Sequence, residues 1–221
     1  MRWLILVLAL ATAGPAWCED IVDVLRRSQD MRLASMAAAE PDSAEAQTIL
    51  ASFDALRRAL PPGSPEVALH VIRGPVMAET LHGHVVVANE QLAGLPEDVR
   101  LFILAHEMGH VMQGHWRQMV MLYQKWVPGE VTRERTDPVN ARLQRDASSL
   151  AHQQEYQADA FAAQTLQAMG RCRPQAEAGG LSCHDEMLTV FQQQGSAGDT
   201  LTHPSAGKRL AALRAHAYFT P

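Results

Sequence analysis

Residues 101–115, LFILAHEMGHVMQGH, place His106 and His110 four apart with Glu107 between them. Residues four apart share one face of an α-helix, so the two imidazoles can converge on a single metal ion. Two ligands do not complete a hydrolytic site. That takes three, with a further position left open for water. The stretch therefore poses the question of where the third ligand lies. Its own context is that of a buried helix. LFILA is apolar nearly all round, and the preceding LPEDVR puts Pro96 at the first helical position and Glu97 and Asp98 in the first turn. These signals predict a helix from about 96 to 115.

Upstream, two runs read as strands. EVALHVIRG, 66–74, alternates Val67, Leu69 and Val71 on one face, and HGHVVVANE, 82–90, is β-branched. Gly74-Pro75 and Gly83 punctuate them. The second run could offer its backbone edge to an extended peptide. His82 and His84 would share one face of it, with no third partner for a second metal. Residues 20–60 read as helical, with a new helix starting near Pro41, and PPGSP at 61–65 closes that region.

Downstream, 116–127 is rich in Met, Trp and Leu, which suits core or an active-site lid. Its composition also permits contact with a membrane surface or an unfolded client. From about 141 a long helical pattern runs to Gly170, and two further helices are expected at roughly 184–194 and 205–217. The fold class is α+β and predominantly helical.

For the third ligand, His115 is nearest. Continuing the helix at 100° per residue turns it well away from the His110 face. His152, His184 and His203 have no supporting pattern. Glu155 has one: in EYQAD, 155–159, Glu155 and Asp159 face the same way, and Ala158 and Ala162 are small enough for this helix to cross another closely. Glu155 is the expected ligand. Asp159 would accept a hydrogen bond from the far nitrogen of a ligand histidine.

HEMGH, EYQAD and THPSAGKRL together resemble the HtpX and CAAX-prenyl-endopeptidase family of zinc metallopeptidases (gluzincins). In layout the chain is most similar to small periplasmic members such as the BepA protease domain. The resemblance covers roughly 66–217. It implies a zincin-like domain with a small β-sheet, one Zn²⁺ held by His106, His110 and Glu155, and Glu107 as the catalytic glutamate. It also brings His203, of a His-Pro pair, and Arg209 near the metal. The chemistry expected of this set is peptide hydrolysis by a zinc-activated water with Glu107 as general base. His203 or Arg209 would donate to the oxyanion, or His203 would latch the zinc in an inactive state.

MRWLILVLALATAGPAW at the N-terminus carries Arg2 and an apolar run of ten, Leu4 to Ala13, followed by small residues. That run is short of the roughly 20 residues a bilayer span needs, so 1–16 is expected to be a cleaved secretory signal. The expected location is the periplasm. Lipidation at Cys18 is disfavoured because PAWC lacks the usual aliphatic residue three before the cysteine. In an oxidising compartment Cys172 and Cys183 could form a disulfide; spacing alone does not give their separation.

The expected organisation is therefore a signal over 1–16, a helical region over 20–60 packed on the core, and a protease domain over 66–217. A net charge of −5 offers no nucleic-acid footprint. Expected partners are unfolded or misassembled proteins, by resemblance those of the envelope or outer membrane, with peripheral contact to that membrane or its assembly machinery. The competing reading is a chaperone-like binder whose zinc is structural or latched by His203.

Overall fold

The helix that carries the two histidines, α3 (Glu97–Met112), starts where the acidic first turn requires, with Pro96 at its N-cap. It ends earlier than the expected 115. Gly114 adopts φ 64° and its N–H bonds to the Val111 carbonyl, the left-handed stop that favours glycine. A new helix, α4 (His115–Trp126), starts immediately after it. The computed structural model describes residues 19–171, 174–175, 180–181 and 198–217. The signal stretch 1–16, Cys18, Cys172, Cys183 and the helix expected at 184–194 lie outside the described residues.

The N-terminal region forms α1 (Ile21–Ala34) and α2 (Ala44–Ala59), with the short strand β1 (Ala37–Ala38) between them. Asp20 caps α1 by accepting from the Val22 and Asp23 amides. Ser43, rather than Pro41, starts α2 by accepting from the Ala46 amide.

The sheet has four strands in the order β1-β2-β4-β3, where two were expected. β2 (Ala68–Arg73) runs parallel to β4 (Val85–Asn89), and β3 (Ala78–Leu81) pairs antiparallel with β4. His82 and Gly83 both have positive φ, 54° and 70°, and the His84 amide bonds to the Leu81 carbonyl. Two left-handed residues thus make the tight turn, and the Leu81–Val85 register leaves His84 as the third residue of the loop. His82 is therefore a turn residue and does not share a strand face with His84. β4 is buried along its whole length between β2 and β3. The edge strands are consequently β1 and β3, and not the 82–90 run.

The main core joins Phe53 and Leu56 of α2, Val86 of β4, Leu101 and Leu104 of α3, and Leu166 of α6 (Asn140–Ala168). The other sheet face buries Ile72, Leu81, Val85 and Val87 beneath Leu33 and Met36. The short α5 (Arg133–Thr136) leads into α6, β5 (Pro174–Gln175) pairs with β6 (Gly180–Leu181), and α7 (Ala206–Ala217) packs on α6.

The α3–α6 crossing positions the site. A Cβ on Gly109 would stand 3.1 Å from the Ala158 Cα and 3.2 Å from its carbonyl oxygen. The helices thus meet backbone to backbone, with glycine on one and alanine on the other. Ala158 and Ala162 are fully buried there.

Candidate metal centre

At this crossing α3 delivers His106 and His110 and α6 delivers Glu155. The two Nε2 atoms are 3.2 Å apart. Glu155 Oε1 lies 3.4 Å from His110 Nε2, and Oε2 lies 3.5 Å from His106 Nε2. A tetrahedral ion with bonds of 2.0–2.2 Å holds its ligand atoms roughly 3.3–3.6 Å apart. These three side chains are the one group found among the described residues that could hold a metal ion.

Hydrogen bonds fix which ring nitrogens face the centre. His106 Nδ1 donates to Asp159 Oδ1 at 2.9 Å, which leaves Nε2 turned to Glu155 and His110. On the other side His115 Nε2 donates to Gln157 Oε1 at 3.0 Å. Burial, aided by the neighbouring His110, pushes the His115 pKa down to about 4. A neutral His115 with a proton on Nε2 has a lone pair on Nδ1, which lies 2.9 Å from His110 Nδ1. His110 therefore donates through Nδ1 and presents a lone pair at Nε2.

The carboxylates are held charged. Burial would raise the Glu155 pKa, but His106, His110 and Arg209 outweigh it and hold it far below the usual range. Asp159 is likewise lowered, burial being overcome by Arg209 and His106. Burial would lower the His106 pKa, but Glu155 and Asp159 override it and push it up to about 10. The centre thus demands positive charge at His106 Nε2. A proton can serve one pair of these atoms, whereas a divalent ion serves all three at once. Glu155 Oε2 is buried without a hydrogen bond, although Arg209 Nη1 lies 3.1 Å away. This donor set fits a metal such as zinc.

Glu107 lies beside the centre in a cleft of about 1040 Å³ whose walls include Thr80, Trp116 and His203. The Thr80 hydroxyl is 2.8 Å from Glu107 Oε2 and 2.8 Å from the Glu107 carbonyl oxygen.

Other expected residues take different places. His203 Nε2 is 3.7 Å from Glu155 Oε1, on an exposed side chain outside the three-residue metal group. Arg209 does not line the cleft. Its Nε donates to Asp159 Oδ2 at 2.8 Å and its Nη2 to Oδ1 at 2.5 Å, so it holds the carboxylate that holds His106. In this position it supports the His106–Asp159 pair from behind. His152 donates to the Thr200 carbonyl at 2.8 Å and anchors the segment leading to His203. His82 pairs with Asp30 at 3.2 Å and belongs to no metal group.

Three contributors were not read from sequence: Thr80, Gln157 and the orienting role of His115. For His115 the missed signal was Gly114 as a helix stop. Thr80 carries no motif, and Gln157, though within EYQAD, has a role that depends on where His115 folds back.

The model of Peptidase family M48 matches residues 77–217. Comparison with curated proteins gave no significant match. Among solved structures, the crystal structure of S. mikatae Ste24p aligns with a TM-score of 0.51 at 18% identity, covering 87% of this chain and 56% of that one. The chain thus spans little more than half the length of that protein, and a likeness at such identity shows a shared fold. With the family model matched over well more than half of its residues, the chain belongs to peptidase family M48, with a zincin-like α+β domain.

Proposed function

We propose that the protein is an exported zinc endopeptidase acting on unfolded or misassembled proteins of the cell envelope. The observation that carries the zinc reading is the spacing of 3.2, 3.4 and 3.5 Å among two imidazole nitrogens and a carboxylate, with Glu107 beside them.

The endopeptidase reading rests on β3. The Asn89 amide bonds to the Met77 carbonyl at 2.8 Å. In an antiparallel pair that sets residues 77, 79 and 81 toward β4 and leaves the amide and carbonyl of Ala78 and Thr80 along the sheet edge. An extended chain pairing there would pass the metal centre with residues on both sides of the scissile bond. The signal-like stretch 1–16 supports export. No helix among the described residues is long and apolar enough to cross a membrane. The envelope substrate class rests on the family resemblance.

When bound, zinc supplies the Lewis acidity that activates water and polarises the scissile carbonyl. Glu107 accepts the proton of the attacking water and passes it to the nitrogen of the leaving amine as the C–N bond breaks. His203 Nδ1 is 2.8 Å from the Thr202 hydroxyl. With that hydroxyl donating, Nε2 carries the proton and can donate to the developing oxyanion. The same placement next to Glu155 favours the second reading, a binder in which His203 latches the centre.

Unfolded casein incubated with wild type, Glu107→Gln and chelator-treated protein separates these. Cleavage lost in Glu107→Gln with one zinc retained supports the peptidase. Equal behaviour of wild type and Glu107→Gln supports the binder.

A further inference from the structure

We propose that Thr80 is a positioning residue for Glu107, coupling the strand on which substrate would lie to the residue that moves the proton. This rests on the reading of Glu107 as general base.

A hydroxyl has one proton, and the Thr80 oxygen lies 2.8 Å from two acceptors, the Glu107 carboxylate and the Glu107 main-chain carbonyl. That proton cannot point straight at both acceptors at once, so one contact is the stronger donation at any moment. While Glu107 is a carboxylate, Thr80 donates to it and fixes the side chain toward the cleft. Once Glu107 has taken the water proton, Thr80 turns its own proton to the main-chain carbonyl and accepts from the carboxylic acid. One rotation of one hydroxyl therefore holds Glu107 in both halves of the cycle. No atom is gained or lost at Thr80.

The position of Thr80 adds a second consequence. It lies on β3, its backbone is on the side away from β4, and it shares the cleft wall with Glu107. The distance between a strand-paired substrate and the base is thereby set within a single residue. Proton transfer needs such fixed geometry, since misplacement by an ångström costs on the order of a hundredfold in rate.

The test uses zinc-loaded protein and an internally quenched unfolded peptide. Thr80→Val removes the hydroxyl, keeps the shape and suits a strand. Thr80→Ser restores the hydroxyl without the methyl. Losing a hydrogen bond to a charged group predicts a kcat fall of roughly 10–100-fold in Thr80→Val. KM, zinc content and melting temperature should stay near wild type, and Thr80→Ser should recover most of the rate. A wild-type kcat in Thr80→Val, with Glu107→Gln inactive, overturns the role of Thr80 alone. So does a Thr80→Ser rate as low as that of Thr80→Val, or a Thr80→Val loss traced to missing zinc or a lowered melting temperature. Full activity in Glu107→Gln instead overturns the general-base reading beneath it.

Discussion

His115 Nδ1 sits 2.9 Å from His110 Nδ1, and the pair is closed on the far side by Gln157. The contact decides which nitrogen His110 turns inward, because His115 stays neutral down to about pH 4 and accepts the His110 proton. His115→Ala removes that acceptor and frees the His110 ring. Partners of this kind tune metal affinity by roughly 10–100-fold. Competition with a chromophoric zinc chelator should show a weakening of that size, with His115→Gln partly restoring affinity because its side-chain oxygen can also accept.

On the opposite side the order is Arg209, Asp159, His106. Asp159 is buried and the Arg209 side chain is only 12% exposed, so removing the guanidinium leaves a buried carboxylate with only His106 as counter-charge. Breaking such a buried pair costs about 3–5 kcal/mol. Arg209→Ala should therefore lower the unfolding free energy of the metal-free protein by that amount in a denaturant titration. Arg209→Lys should recover little, since an ammonium cannot supply the two-pronged contact made by Nε and Nη2.

The metal-free centre also predicts a proton count. His106 is raised to about 10 in the folded chain, with Glu155 and Asp159 held anionic. A raised histidine pKa stabilises the fold fully below the unfolded value near 6.5. That contribution falls as pH rises and is gone above about 10. At pH 8 the metal-free protein thus holds this proton, and zinc displaces it. Calorimetric titrations in buffers of different ionisation enthalpy should report about one proton released from His106 per zinc. A binding enthalpy independent of buffer would show that the His106 proton is absent.

The crossing at Gly109 shows what the sequence made legible and what it hid. The spacing of HEMGH and EYQAD was enough to bring two helices and three ligand atoms together, because helical periodicity turns spacing into direction. The small residues of α6, Ala158 and Ala162, were readable as a close-packing face. Gly109 inside the motif was not, since its role depends on which backbone it meets. Two tertiary facts were hidden in the same way. The break at Gly114 brings His115 back onto His110, and the turn at His82-Gly83 makes an extra strand of the weakly β-prone AETL. Pairing with β4, rather than residue preference, makes that strand.

Gly109→Ala tests the crossing. Alanine favours a helix over glycine by about 1 kcal/mol. The new Cβ, however, meets Ala158 main-chain atoms at 3.1 and 3.2 Å, and backbone yields poorly. Overpacking costs about 1–3 kcal/mol, so a net loss of stability is expected. The shift of α6 should carry Glu155 from its two histidine partners and weaken zinc several-fold. A melting temperature above wild type with unchanged zinc affinity would falsify the tight crossing.

Helix α1 bears on substrate access. Gln29 Oε1 accepts from the His82 amide, in the turn just past the end of β3. Arg32 grips Glu79 of β3 through Nε at 2.9 Å and Nη2 at 3.3 Å. Gln29 thus stands where a substrate carbonyl would pair, and an extended chain running past the end of β3 must displace it. The competing contact is a single hydrogen bond, with a net value of about 0.5–1.5 kcal/mol. Gln29→Ala should therefore lower KM for a long unfolded substrate by roughly two- to tenfold. Peptides too short to reach His82 should be cleaved as by wild type, with kcat unchanged. A KM that rises for the long substrate would show instead that Gln29 holds the peptide, making α1 a wall of the binding cleft.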